Sequence, residues 1–185
     1  MIYFTADQHF GRENIIRYCN RPFRSLAEMD AAMIERWNSV VKPKDIVYQL
    51  GDFVWHDDLR GPLAYLNGDV RILSYPWHHD ARWLRNYADD AVLQPPIVVL
   101  ELPASPVSKW PQIAVLCHYP FAVWDRKHYG AWHLRGHSHG QYHGTGLIYD
   151  VGVDTNDFTP VSLDRISGIM ADKGVVPGVG NGNDI

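Results

Sequence analysis

Five short apolar runs in this chain each lead into a residue that can bind a metal. Ile2-Tyr3-Phe4 leads to Asp7-Gln8-His9, and Ile46-Val47-Tyr48-Gln49-Leu50 to Gly51-Asp52. Val70-Arg71-Ile72-Leu73 precedes His78-His79-Asp80, and Ile113-Ala114-Val115-Leu116-Cys117 precedes His118. Trp132-His133-Leu134 precedes Gly136-His137-Ser138-His139. Short apolar runs bounded by turn residues read as buried strands. Open α/β sheets gather ligands beyond the carboxyl ends of their strands. Neutral imidazole is the commonest protein ligand for a transition metal. Taken singly, His9 or His118 reads as a core or surface histidine, and Asp7 or Asp52 as a turn or cap residue. Taken together they constrain the fold, because unrelated structural histidines have no reason to follow successive strands.

A chain of 185 residues suits one domain with a real core, read here as residues 1–173 followed by a Gly- and Asn-rich tail over 174–185. Hydrophobic residues at 46% and charged residues at 21% are an ordinary globular balance. The net charge of -4 gives no general basic surface, so bulk charge does not favour non-specific nucleic-acid binding. Cys19 and Cys117 lack C-x-x-C spacing and read as reduced, half-buried thiols. Asp7 and His9 interrupt the N-terminal apolar stretch too early for a signal peptide, and no apolar run approaches bilayer length. A cytoplasmic protein with no membrane partner is the expectation.

In chain order, helices are expected over Glu13–Tyr18, from Ser25 to about Val40, over Leu59–Leu66, over Asp80–Tyr87 and from Ser162 to Met170. Ser25 and Glu28 fit a capping box, and Met29, Met33, Trp37 and Val40 fall on one helical face. Besides the five runs, strands are expected at Ala91–Leu93, Ile97–Leu102 and Leu147–Val151, with a loop over Pro103–Gln112. Helices and strands alternate in the first half and strands cluster in the second. That order predicts an α/β or mixed layered sandwich with parallel pairing in its first half.

Two carboxylates, Asp7 and Asp52, with His9, His118, His137 and His139 suffice for two divalent metals. A carboxylate such as Asp52 can bridge a pair ~3.5–4 Å apart, which clamps a phosphoryl oxygen and makes hydroxide available at neutral pH. Mixed oxygen and imidazole ligation suits Mn, Fe, Zn or Ni, with Mn favoured. Arg17, Arg126 and His128 are further candidates, for contact with substrate. His133 and His143 are less secure, and His143 reads as exposed.

The ordered blocks Asp7-Gln8-His9, Gly51-Asp52, His78-His79-Asp80, His118 and Gly136-His137-Ser138-His139 resemble the signature of the calcineurin-like metallophosphoesterases. The resemblance covers residues 1 to about 165. It looks closest to small stand-alone bacterial and phage members, through Asn14–Tyr18, Trp37-Asn38 and Val151–Asp154. It implies a four-layered α/β/β/α sandwich of mixed sheets with metals at the strand ends. It implies one metal on Asp7, His9, Asp52 and His139, and a second on Asp52, His118, His137 and His78. His79 would be the general acid or phosphate-binding histidine, oriented by Asp80. The chain departs from the family at Trp77-His78, where Gly-Asn is usual, which predicts a reshaped turn and a weaker second metal.

The expected function is hydrolysis of phosphodiester or phosphomonoester bonds by a bridging hydroxide, with small phosphodiesters or nucleotides favoured as substrates. A nuclease of the same family is the alternative enzyme, with nucleic acid as substrate. A metal-binding scaffold without catalysis is the alternative of a different class.

Overall fold

The computed structural model describes residues 1–55, 60–75, 80, 83, 92–103 and 111–173. Two mixed sheets form an α/β sandwich. The first joins β1 (Ile2–Thr5), β2 (Ile46–Gln49), β3 (Asp69–Leu73), β4 (Leu93–Gln94) and β9 (Val161–Ser162) in the order β4-β3-β2-β1-β9. The second joins β5 (Ile97–Leu102), β6 (Gln112–Cys117), β7 (Trp132–Arg135) and β8 (Ile148–Asp150) in sequence order. β1 to β4 run parallel with β9 antiparallel. β6 to β8 run parallel with β5 antiparallel.

Alternation along the strands builds the layers. Phe4, Tyr48 and Leu50 of the first sheet's side face Ala114, Leu116, Trp132 and Leu134 of the second in one buried cluster. Tyr3, Val47, Val70 and Ile72 point the other way, into a cluster with Ile15 of α1 (Asn14–Tyr18) and Met29, Met33 and Trp37 of α2 (Leu26–Val40). A slip of one residue in β1 or β2 would exchange these two sets, so the register is strongly specified. Each large side chain so buried contributes ~1.5–3 kcal/mol. Ile166 and Met170 of α4 (Leu163–Asp172) join the inter-sheet cluster. The outer face of the second sheet is covered by Trp124 and Ala131, packed on Val115 and Ile148.

The helix signals hold with local adjustments. Ser25 Oγ accepts from Glu28 N–H at 3.2 Å, but the Glu28 carboxylate reaches Arg24 N–H at 2.8 Å instead of that of Ser25. The reciprocal half of the box therefore sits one residue earlier. Val40, expected inward, is only partly buried; the C-cap Val41 is fully buried in its place, because the chain leaves the helix there in an extended conformation. The third helix is shorter than expected: α3 spans Arg60–Leu63, with Pro62 inside it. Ser162 caps α4 through Arg165 N–H at 3.2 Å. The strand expected at Ala91–Leu93 lies at Leu93–Gln94. The expected helix over 80–87 apart from Asp80 and Trp83, most of the 103–112 loop and the 174–185 tail lie outside the described residues. Cys19 is half-buried and Cys117 fully buried, and neither forms a disulfide. No helix among the described residues is long and apolar enough to cross a membrane.

Candidate metal centre

The parallel strands bring β1, β2, β6 and β7 to end on one edge, and the candidate ligands follow directly from those ends. The β1 and β2 chains stay paired past the sheet. Asp7 N–H donates to Gly51 C=O at 3.1 Å, His9 N–H to Asp52 C=O at 2.9 Å and Phe10 N–H to Phe53 C=O at 2.9 Å. Buried amides lock the pair: Gln49 Nε2 donates to Gln8 Oε1 at 3.0 Å and to Gly51 C=O at 2.6 Å. On the other sheet Gly136 N–H donates to His118 C=O at 3.1 Å. Tyr75 Oη accepts from His118 N–H at 2.6 Å.

Asp7, His9, Asp52, His137 and His139 all have positive φ, between 47° and 72°. Side-chain-bearing residues enter this left-handed region at a cost of ~1–3 kcal/mol each, and such strain clusters at functional sites. In both Asp7-Gln8-His9 and His137-Ser138-His139 it recurs at alternate residues. Two glycines make room for the Asp7 carboxylate. A Cβ on Gly136 would lie 2.7 Å from Asp7 Oδ2, and one on Gly152 would lie 2.5 Å from it.

Two ligand groups result. Asp7, His9 and His139 bring one donor atom each within 4.8 Å of one another, and so do Asp52, His118 and His137. Asp52 joins the groups, because its Oδ2 lies 3.3 Å from His9 Nε2 and 3.6 Å from His118 Nε2. His118 Nδ1 is 3.9 Å from Asp7 Oδ1, and His118 Nε2 is 3.2 Å from His137 Nδ1. Asp7, His9, Asp52 and His118 are buried, His139 is half-buried and His137 is exposed at the mouth. The Tyr119 ring sits beside His137, with centroids 4.8 Å apart.

Burial dominates the electrostatics. It raises the Asp7 carboxyl to about 6 against the pull of His118 and His139. It pushes His9 well below the ordinary imidazole range. Burial also opposes the charge on His118 and His139, but neighbouring carboxylates win. Asp52 and Asp7 raise His118, and the Asp154 hydrogen bond raises His139 to about 10. A compact set of buried carboxylates and imidazoles with perturbed protonation fits divalent cations, which supply the positive charge the site otherwise takes from protons.

The structure thus brings together Asp7, His9, Asp52, His118, His137 and His139. Asp80 is fully buried; its Oδ2 accepts from Asp52 N–H at 2.9 Å and its Oδ1 from Trp83 Nε1–H at 3.0 Å. His78 and His79 lie outside the described residues. The candidate substrate contacts each engage a near neighbour. Arg17 donates to the Asn14 side chain at 3.3 Å on the exposed face of α1. Arg126 lies near Asp125 at 3.9 Å, and His128 packs on Tyr129 with ring centroids 4.1 Å apart. Arg12, in contrast, lies over the Trp55 ring at 4.1 Å and within 3.4 Å of His9 Nδ1. His133 is buried and structural: its Nε2 accepts from Phe121 N–H at 3.0 Å and its Nδ1 pairs with Val115 C=O at 3.0 Å.

Two buried arginine–aspartate pairs hold the cluster, and sequence reasoning overlooked both. Arg21 Nε and Nη2 donate to Asp154 Oδ1 and Oδ2 at 2.8 and 2.9 Å. Asp154 Oδ2 also pairs with His139 Nδ1 at 2.7 Å. Arg135 Nη1 donates to Asp150 Oδ2 at 2.8 Å, to Gly136 C=O and to Ser138 Oγ. Asp150 Oδ2 also accepts from Gly140 N–H at 3.3 Å, so this pair braces the whole Gly136–Gly140 turn. The usable signal was an arginine ending the apolar strand Trp132–Arg135, since a buried guanidinium requires a buried carboxylate.

No protein-family description matches the chain. It is similar to an uncharacterized protein of Methanocaldococcus jannaschii, with 47% identity over 73 residues. That match covers 37% of this chain and 42% of the relative, so the chain spans less than half the relative's length. Among solved structures it is similar to a protein of unknown function from Aquifex aeolicus, at 25% identity and a TM-score of 0.67. That match covers 91% of this chain and 98% of the other.

Proposed function

We propose that this chain is a phosphoesterase that works with two divalent metal ions, of the calcineurin-like metallophosphoesterase kind. The observation that carries the reading is the position of Asp52 Oδ2, 3.3 Å from His9 and 3.6 Å from His118, which links two groups of candidate ligands. Asp7, His9 and His139 would hold one ion and His118 and His137 the other, with Asp52 shared. By the family resemblance, His78 completes the second set. Oxygen and imidazole donors suit Mn, Fe, Zn or Ni, and Mn is favoured. Such a pair, when bound, polarises a phosphoryl oxygen and supplies hydroxide near neutral pH.

The chain's own residues do the remainder. The exposed His137 leaves the mouth accessible, and Tyr119 beside it offers a ring face to a small organic ester or a nucleotide base. Arg12, fixed on Trp55 and adjacent to His9, adds positive charge for a phosphate oxygen. By the resemblance, His79 protonates the leaving oxygen. Asp80 anchors Asp52 through its backbone N–H and so keeps the shared carboxylate in place.

The test is to strip the protein with chelator, restore Mn²⁺ and assay a panel of aryl and alkyl phosphomonoesters and phosphodiesters beside single-stranded and duplex DNA. The expected result is turnover that vanishes on chelation and returns with Mn²⁺, highest on small phosphodiesters. Bound metal with no turnover on any substrate would identify a scaffold and overturn the reading. Turnover confined to DNA would identify a nuclease.

A further inference from the structure

We propose that Asp154 is the positioning carboxylate of the His139 metal site, fixed by Arg21, and that it is not itself a ligand. Cys19, His139 and Asp154 also bring donor atoms within 4.8 Å of one another, which makes them a rival metal-binding set. The hydrogen bonds decide against that set. Arg21 occupies Oδ1 at 2.8 Å and Oδ2 at 2.9 Å, and His139 Nδ1 shares Oδ2 at 2.7 Å. A metal on Asp154 would crowd a carboxylate that already takes three contacts and neutralises a guanidinium whose side chain has 0% exposure. Stripping a buried arginine of its counter-charge is strongly unfavourable.

The same guanidinium reaches the other side of the site. Arg21 Nη2 donates to Asp7 C=O at 2.7 Å and Nη1 to Gln8 C=O at 2.9 Å. One rigid fork therefore ties the backbone of one ligand, Asp7, to the carboxylate that holds another, His139. With Nδ1 engaged by Asp154, Nε2 is the nitrogen left for a metal. A carboxylate on the far nitrogen of a ligating histidine fixes its tautomer and ring orientation and raises its basicity. The His139 ring is further held by stacking on His9, with centroids 5.5 Å apart and planes at 19°. Arg21 is a fork and not a point charge at this place because it must serve four acceptor atoms in one plane.

This inference rests on the metal reading above, and the experiment separates the two. Mn²⁺ binding is measured by calorimetry on wild type, Asp154→Asn, His139→Ala and the double variant. Asp154→Asn is expected to lose ~10–100-fold in affinity at one site. In the His139→Ala background the same substitution should change affinity by no more than about 2-fold, because its effect runs through the imidazole. Asp154→Glu keeps the charge but displaces it and should show a loss with the same dependence on His139, which serves if Asp154→Asn does not fold. Arg21→Lys should keep part of its loss in the His139→Ala background, because it also releases the Asp7 and Gln8 carbonyls. Co²⁺-loaded wild type should show no thiolate-to-cobalt absorption, since Cys19, although close to His139, is not among the proposed ligands.

Unchanged affinity in Asp154→Asn, or a full loss that persists in the His139→Ala background, would overturn the inference. A thiolate–cobalt band would overturn it too, in favour of the Cys19 set. Wild type that binds no metal would overturn both readings, whereas metal-binding wild type with an indifferent Asp154→Asn overturns this one alone.

Discussion

The Asp7 carboxyl lets a functional site be weighed against stability. It is fully buried, and burial lifts it from 3.8 to about 6, which costs the ionised form about 3 kcal/mol in the metal-free protein. The folded value lies above the unfolded one, so the native state holds the proton more tightly. Asp7's own contribution to metal-free stability should therefore fall as pH rises from about 4 through about 6, while the depressed imidazoles of His9 and His133 contribute the opposite slope, stability gained as pH rises toward 6.5. His118 and His139 are raised as well, so their stabilising contributions are full below 6.5 and fade as pH rises through their folded values, about 10 for His139. Asp7→Asn removes the ionisation cost and keeps an oxygen to accept His137 N–H, now 3.0 Å from the carboxylate. Losing the charge in that hydrogen bond returns ~1 kcal/mol. The net expectation at pH 7.5 is a metal-free variant ~2 kcal/mol more stable than wild type, or ~4–8 °C in Tm. The same variant should bind metal far more weakly. Urea melts of chelated proteins between pH 4 and 8 measure this. Wild type that gains stability relative to Asp7→Asn across pH 4–6, or a variant no more stable at pH 7.5, would refute the reasoning.

Three further outcomes follow from named contacts. Asp80→Asn leaves one oxygen where Asp52 N–H and Trp83 Nε1–H now use two, so it should cost ~1–3 kcal/mol in chemical denaturation and weaken metal binding with it. Gly136→Ala would set its Cβ 2.5 Å from Ala6 Cβ and 2.7 Å from Asp7 Oδ2; we expect ~1–3 kcal/mol of destabilisation and lower Mn²⁺ affinity by calorimetry. His79→Ala should retain both metals by elemental analysis, yet lose ~10²–10⁴ in rate on alkyl esters and far less on an activated aryl ester.

The candidate ligands were legible because metal chemistry needs uncommon side chains at strand ends, and strand ends are marked by where an apolar run stops. Asp7, His9, Asp52, His118, His137 and His139 all followed from that rule. The residues that hold them did not. Arg21 and Asp154 are 133 positions apart, and no local pattern announces such a pair. Arg21 follows no apolar run, yet its buried guanidinium links two loops of candidate ligands. Left-handed backbone at five ligands is equally silent in sequence, since Asp and His carry no mark of the φ they adopt. Gln49 passed as one polar residue in an apolar strand, yet its amide bridges the β1 and β2 ends. The substrate candidates Arg17, Arg126 and His128 were chosen by residue type alone, with no strand end to aim them, and each engages a near neighbour.

The central claim is that Asp52 is shared by two metals. The most direct measurement is anomalous diffraction from crystals of the Mn²⁺-loaded protein, at the metal's absorption edge. Two peaks ~3.5–4 Å apart are expected, with the Asp52 carboxylate touching both. Asp7, His9 and His139 should surround one peak, and His118 and His137 the other. A single peak, or two peaks with Asp52 bound to one and turned away from the other, would contradict it.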